Sequence, residues 1–148
     1  MISGALTLLA MLLLVSVPQL GAEEVKIVGR DFSFDAPATL HAGITTFVFE
    51  NRGAVRHEMI IVPLRQGVTE QQIKEAHQAG IPYPKQMEQF ADGGSIGILL
   101  ENPQRSGSGK LIVDLIRGKT YLLICQLEAP QGMPRHNVLG MYKTFKVE

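Results

Sequence analysis

Residues 121–148 read YLLICQLEAPQGMPRHNVLGMYKTFKVE. An apolar run ends on Cys125, the only cysteine of the chain; a polar loop containing Pro130, Gly132 and Pro134 follows, and a second run rich in β-forming residues closes the sequence. Short apolar runs bounded by Gly, Pro and Asn are strand signals. The tail therefore reads as strand, loop, strand, with the cysteine at the end of the first strand.

The same rhythm extends upstream. Residues 25–28, 32–34, 36–40, 44–50, 57–62, 95–100 and 111–116 read as further strands, punctuated by turn sequences such as His41-Ala42-Gly43 and Asn51-Arg52-Gly53. One segment departs from it. Thr69-Glu70-Gln71-Gln72 fits a capping box, with Thr69 at the N-cap and Gln72 three residues on, and Gly80 with Pro82 beyond supplies a stop. The apolar face of this helix is thin, chiefly Ile73 and Ala76, so it must lean on the strands. Residues 80–94 read as loop, with Pro82-Tyr83-Pro84 extended and Asp92-Gly93-Gly94 turning, which makes 64–94 an excursion between two strands. The expected fold is all-β, a Greek-key β-sandwich with one short helix inserted around residues 69–80.

The length of 148 residues fits one domain, and no internal repeat or linker divides it. The first 22 residues carry no charge, and 6–17 is apolar but for Thr7 and Ser16. Such a run is short for a membrane span, and Gly21-Ala22 offers small residues for cleavage, so 1–22 reads as a signal peptide and 23–148 as the domain. The segment before Leu6 lacks Lys and Arg, which leaves an uncleaved membrane anchor as the alternative. A periplasmic or secreted chain results. Lys and Arg together number 14, as do Asp and Glu, and no basic stripe is present, so nucleic acid is excluded as a partner.

An exported chain with one cysteine cannot close a disulfide on itself, and Cys125 needs another explanation. Taken singly, Cys125 is a buried small hydrophobe, His57 a hydrogen-bonded histidine at a strand edge, His136 a solvated loop residue and Met141 core filling. Taken together they are one thiolate, two imidazoles and a thioether. That is the trigonal set with a long axial sulfur that suits copper in both oxidation states. Cys125, His136 and Met141 lie on one strand-loop-strand unit, and His57 opens a strand that a Greek key can bring beside it. Met133, inside the loop, is a rival axial donor. His41 and His77 lie in a turn and in the helix, without a donor at useful spacing.

With these residues in place the chain resembles the cupredoxins, in particular small bacterial plastocyanin-like proteins. The likeness covers nearly all of 23–148: Phe32-Ser33-Phe34-Asp35, Ala42-Gly43-Ile44-Thr45, Asn51-Arg52-Gly53 before His57-Glu58, and Gly140-Met141 with its closing strand. It implies one type 1 copper per chain, with Cys125 as thiolate ligand, His57 and His136 as imidazole ligands and Met141 axial. Two departures stand out. Ten residues, 126–135, separate Cys125 from His136, more than in shorter relatives. Glu58 stands where several relatives carry an Asn that bonds across to the cysteine loop, and Asn51 is a candidate to take that part.

Four protein ligands leave no open position for a substrate, so the expected function is a one-electron carrier rather than an enzyme. The electron would leave by the His136 ring edge, through an apolar patch of Pro130, Met133, Pro134, Val138 and Leu139 that docks redox partner proteins weakly and, at zero net charge, with little salt dependence. The chain itself is expected to be monomeric. Two competing readings are a periplasmic copper carrier or chaperone that delivers Cu(I), and a metal-free β-sandwich accessory module.

Overall fold

A computed structural model describes residues 22–148. The expected signal peptide lies, but for Ala22, outside these residues. Among them the chain forms β1 (Glu23–Arg30), β2 (Ser33–Asp35), β3 (Thr39–Leu40), β4 (Gly43–Asn51), β5 (His57–Pro63), α1 (Glu70–Gln78), α2 (Tyr83–Phe90), β6 (Gly97–Glu101), β7 (Arg105–Leu115), β8 (Thr120–Ile124) and β9 (Tyr142–Val147). One sheet has the order β2-β1-β4-β7 and the other β3-β9-β8-β5-β6. The result is a β-sandwich in which strands far apart in sequence are neighbours, as expected of a Greek key.

Phe47 and Phe49 of β4 meet Met59 and Ile61 of β5, Tyr121 and Leu123 of β8, and Phe145 of β9 in the space between the sheets. The ring of Tyr121 stacks on Phe145 with centroids 5.3 Å apart. The opposite faces of β5 and β8 are also covered. Val62, Leu64, Leu122 and Ile124 form a second cluster with Ile73 and Ala76 of α1 and Phe90 of α2. Burial on both faces explains why β5 and β8 read as continuous apolar runs instead of alternating.

The helix begins as the sequence requires. Gln72 N–H donates to Thr69 Oγ1 and Gln72 Oε1 accepts from Thr69 N–H at 2.9 Å, completing the capping box, while Gly80 takes φ +69° just past the end. The stretch expected as loop is different: residues Tyr83–Phe90 form a second helix. Pro82 is its N-cap and Pro84 falls in the first turn, where a missing N–H costs nothing. Tyr83, Met87 and Phe90 recur at helical spacing and face the second cluster.

Because Ile73 is fully buried among the side chains of the second cluster, Ile73→Ala should destabilise the domain by roughly 2–4 kcal/mol. Urea unfolding measures this. A loss under about 1 kcal/mol would mean that the excursion is not packed as described.

Candidate metal centre

The register of β5 against β8 is antiparallel, with Ile60 opposite Ile124, Ile61 opposite Leu123 and Val62 opposite Leu122. The first residue of β5, His57, and the residue just past β8, Cys125, are therefore carried to the same end of the sheet. β9 runs back along β8 from Tyr142 opposite Ile124, and Cys125 N–H donates to Met141 O at 3.1 Å. Three strand ends thus converge at one point.

There His57 Nδ1 lies 3.0 Å from His136 Nδ1, and Cys125 Sγ lies 3.3 Å from the same nitrogen. The three donor atoms are all within 4.8 Å of one another, and all three side chains are buried. Two nitrogens at about 2.0 Å and a sulfur at about 2.3 Å from one ion would stand roughly 3.0–3.7 Å apart, so the two separations from His136 Nδ1 already match a single small ion, and the third, from His57 to Cys125, lies within 4.8 Å. The donor types, one soft sulfur and two imidazoles, fit copper in particular. Met141 is fully buried in the same cluster of side chains as Cys125, and its N–H donates to His136 O at 2.9 Å. Met133 is 48% exposed and takes no place in that cluster.

The His57 imidazole is oriented by a carboxylate. His57 Nε2 faces Asp31 Oδ1 at 3.2 Å, and Asp31 also accepts from Ala54 N–H at 2.9 Å. Since a carboxylate can only accept, the proton sits on Nε2 and the Nδ1 lone pair points inward. Burial works to raise the Asp31 carboxyl, but the bonds from His57, Ala54 and Val55 outweigh it and hold it below the ordinary aspartate value. Asp31 carries no sign of this in the sequence, because the contact depends on the β1–β2 turn folding over the turn that precedes His57. Asn51 fixes that second turn. Its amide donates to Val55 O at 2.8 Å and Glu101 O at 3.1 Å, and its oxygen accepts from Gly53 N–H.

The part expected of Asn51 falls to Glu58 instead. Glu58 Oε1 accepts from Gln126 N–H at 2.8 Å, across the gap between β5 and the cysteine loop. Glu58 N–H in turn donates to Cys125 Sγ at 3.5 Å. Burial pushes the Cys125 thiol up to about 11, against the pull of the amides of Glu58 and Leu127. Burial lowers both His57 and His136, partly opposed by Asp31. All three shifts favour the uncharged form of the donor.

The long loop is tied down. Its 3₁₀ turn spans Pro130–Gly132, His136 N–H donates to Leu127 O at 3.0 Å, and Arg135 reaches Gln126 O and Glu128 at 3.0 Å each. The expected exposed edge of His136 is not found: the residue is only 1% exposed. Phe32 covers it, with ring centroids 5.0 Å apart and edge-on, and the same ring reaches His57 at 6.3 Å. Phe32 has φ +64°, a costly left-handed conformation for an aromatic residue. Of the surrounding apolar residues, Met133 and Val138 remain about half exposed.

Many solved structures share this architecture, auracyanins among them. Auracyanin from the photosynthetic bacterium Roseiflexus castenholzii aligns over 86% of this chain and 99% of its own, at 18% identity and a TM-score of 0.52. Auracyanin B aligns over 89% of this chain and 93% of its own, at 19% identity and the same TM-score of 0.52. The fold is that of the cupredoxins. No family model and no curated protein sequence matches the chain. At such identities the likeness reaches the fold, and the case for the centre rests on the donor geometry of this chain.

Two outcomes follow from the geometry. His57, His77 and His136 are all held below the ordinary histidine value, chiefly by burial, so the unfolded chain binds more protons than the folded one at acid pH. The stability of the metal-free protein should be full above about pH 6.5 and fall as the pH drops below it, by up to about 4 kcal/mol per pH unit if all three contribute. Thermal melts between pH 8 and 5 check this, and a flat profile would refute it. A Cβ on Gly53 would stand 2.3 Å from Asp31 Oδ1 and 2.6 Å from His57 Nε2. Gly53→Ala should therefore break the Asp31–His57 bond and shift or erase the imidazole N–H resonance of His57, whereas Gly67→Ala, at an open turn, should leave it in place.

Proposed function

We propose that this chain holds one type 1 copper through His57, Cys125 and His136, with Met141 as the weak axial donor, and serves as a small exported one-electron carrier. The observation that carries this reading is the convergence of a buried thiol and two inward-facing imidazole nitrogens at the end of a cupredoxin sandwich. Copper, when bound, supplies a couple that gains and loses a single electron with little change in its preferred ligands. The chain's own residues supply the rigidity. Asp31 orients His57, the amides of Glu58 and Leu127 bond the Cys125 sulfur, Glu58 clamps the cysteine loop to β5, and the Leu127 carbonyl accepts from the His136 amide. Groups held from several sides move little when the charge at the centre changes, which is what rapid outer-sphere transfer requires.

The tied loop favours this reading over delivery of Cu(I), which would need the donors to open. Burial of His136 moves the expected exit for the electron outward to the half-buried Phe32 ring and to the apolar surface formed by Met133 and Val138, where redox proteins would dock weakly on a monomer. Export to the periplasm or beyond, by way of residues 1–22, agrees with a lone thiol that has no disulfide partner.

The decisive measurement is the visible spectrum of the Cu(II)-loaded chain. A strong blue thiolate-to-copper charge-transfer band is expected at one copper per chain. Cys125→Ser should abolish the band, and His41→Ala should leave it unchanged. A weakly coloured complex, or copper stoichiometry unaffected by Cys125→Ser, would overturn the assignment.

A further inference from the structure

Beside the centre, the helical excursion and the Cys125–His136 loop enclose a cleft of about 540 Å³. Ile60, Pro82, Tyr83, Pro84 and Val138 give it apolar walls, and His77, Gln126 and Asn137 supply its polar lining. Its size lies within the range of small-molecule sites, roughly 300–1,000 Å³.

The polar lining is incompletely bonded. Gln126 is 8% exposed and neither end of its side-chain amide has a partner; Asn137 Oδ1 and His77 Nε2 are likewise buried and unpaired, as is Oε1 of Gln86, which bonds to His77 but does not itself line the cleft. Among the described residues, these four side chains account for every unpaired buried side-chain atom except His136 Nε2. Buried polar groups are ordinarily bonded, and so dense a group of exceptions calls for an explanation.

The bonds that are made fix what remains. Gln86 Nε2 donates to Ile81 O at 2.7 Å and approaches His77 Nδ1 at 3.0 Å, while Asn137 Nδ2 approaches the same nitrogen at 3.3 Å. Two amide donors at Nδ1 make it an acceptor, so the proton lies on Nε2 and is a free donor. The guanidinium of Arg135, also in the lining, is committed to Gln126 O and Glu128. The amide oxygens in need of a donor and the N–H groups in need of an acceptor therefore lie closed beneath the cleft wall, within reach of an occupant once the Gln126 and Asn137 side chains turn, and the wall carries no free charge. A hydroxyl answers both needs with one atom, and the proline and tyrosine walls suit a flat ring.

We propose that this cleft binds a small uncharged hydroxylated aromatic ring, a phenol or hydroquinone, through its hydroxyl to the side chains of Gln126, Asn137 and His77. Gln126 and Asn137 directly follow Cys125 and His136, so an occupant touches the residues next to two of the three clustered donors. The site stands on the cleft alone and does not require the metal.

The test is an NMR titration of the metal-free chain with hydroquinone and with phenol under anaerobic, reducing conditions. Saturable shifts are expected at the side-chain amides of Gln126 and Asn137, with a dissociation constant on the order of 1 mM or tighter. Val138→Trp, at a half-exposed position on the rim, should weaken binding about tenfold or more without touching the core, and Asn137→Leu should do the same by removing a bonding partner. Toluene, of the same shape without a hydroxyl, should bind at least tenfold more weakly. Absence of saturable shifts, indifference to Val138→Trp, or equal binding of toluene would each overturn the proposal. Since no copper is present, these outcomes are independent of whether the metal assignment stands.

Discussion

The pairing of β5 with β8 is the constraint on which the centre depends. Side chains along a strand alternate between faces, so a slip of one residue in this register would turn His57 or Cys125 to the opposite side of the sheet and separate them. The observed register is protected from both sides. Met59, Ile61, Leu123 and Cys125 are locked between the sheets, and Val62, Leu122 and Ile124 are locked beneath the helices. A slip would exchange the two sets of side chains, each already fitted to its own neighbours. The Glu58 carboxylate adds a last fixed point, since its bond to Gln126 N–H closes the pair just where the ladder ends.

Above that end, the donors are held by a layer of polar contacts drawn from four separate stretches of chain. Asp31 comes from the β1–β2 turn, Asn51 and Gly53 from the end of β4 and the turn that follows it, Glu58 from β5 itself, and Leu127 from the cysteine loop. None of these contacts is large alone, because a single hydrogen bond contributes about 1 kcal/mol net. Their effect is geometric. With His57 fixed through Nε2 and His136 through its backbone, the two Nδ1 atoms face each other and that of His136 faces the sulfur, without the entropy loss that ordering them on metal entry would cost.

Much of this was legible in the sequence. The strands follow from apolar runs between Gly, Pro and Asn turns, α1 from the Thr69–Gln72 capping box, and the donor set from residue type and order. The rest depended on contacts that no local pattern records. Asp31 reaches His57 across 26 positions, and Glu58 reaches Gln126 across 68. The second helix was hidden by Pro82 and Pro84, which read as extended chain although a proline in the first turn is compatible with a helix; the spacing of Tyr83, Met87 and Phe90 was the available signal. His136 reads as solvated by its loop setting, yet Phe32 buries it from the β1–β2 turn, more than a hundred positions earlier.

The two departures from a minimal sandwich, the excursion between β5 and β6 and the lengthened loop between β8 and β9, meet each other. Asn137 bonds to His77 of α1, and the cleft between them is lined from both sides. A loop that had merely grown would be expected to extend into solvent and loosen the His136 end of the centre. Here the loop folds back through Arg135, its 3₁₀ turn and the His136–Leu127 bond, and it rests against a helical layer that also covers the outer face of β8. Each insertion thereby gives the other a surface to bury, and the strand that carries Cys125 is supported along its whole length on both faces. Length in the loop and rigidity at the centre are compatible because the extra residues are packed and bonded instead of free.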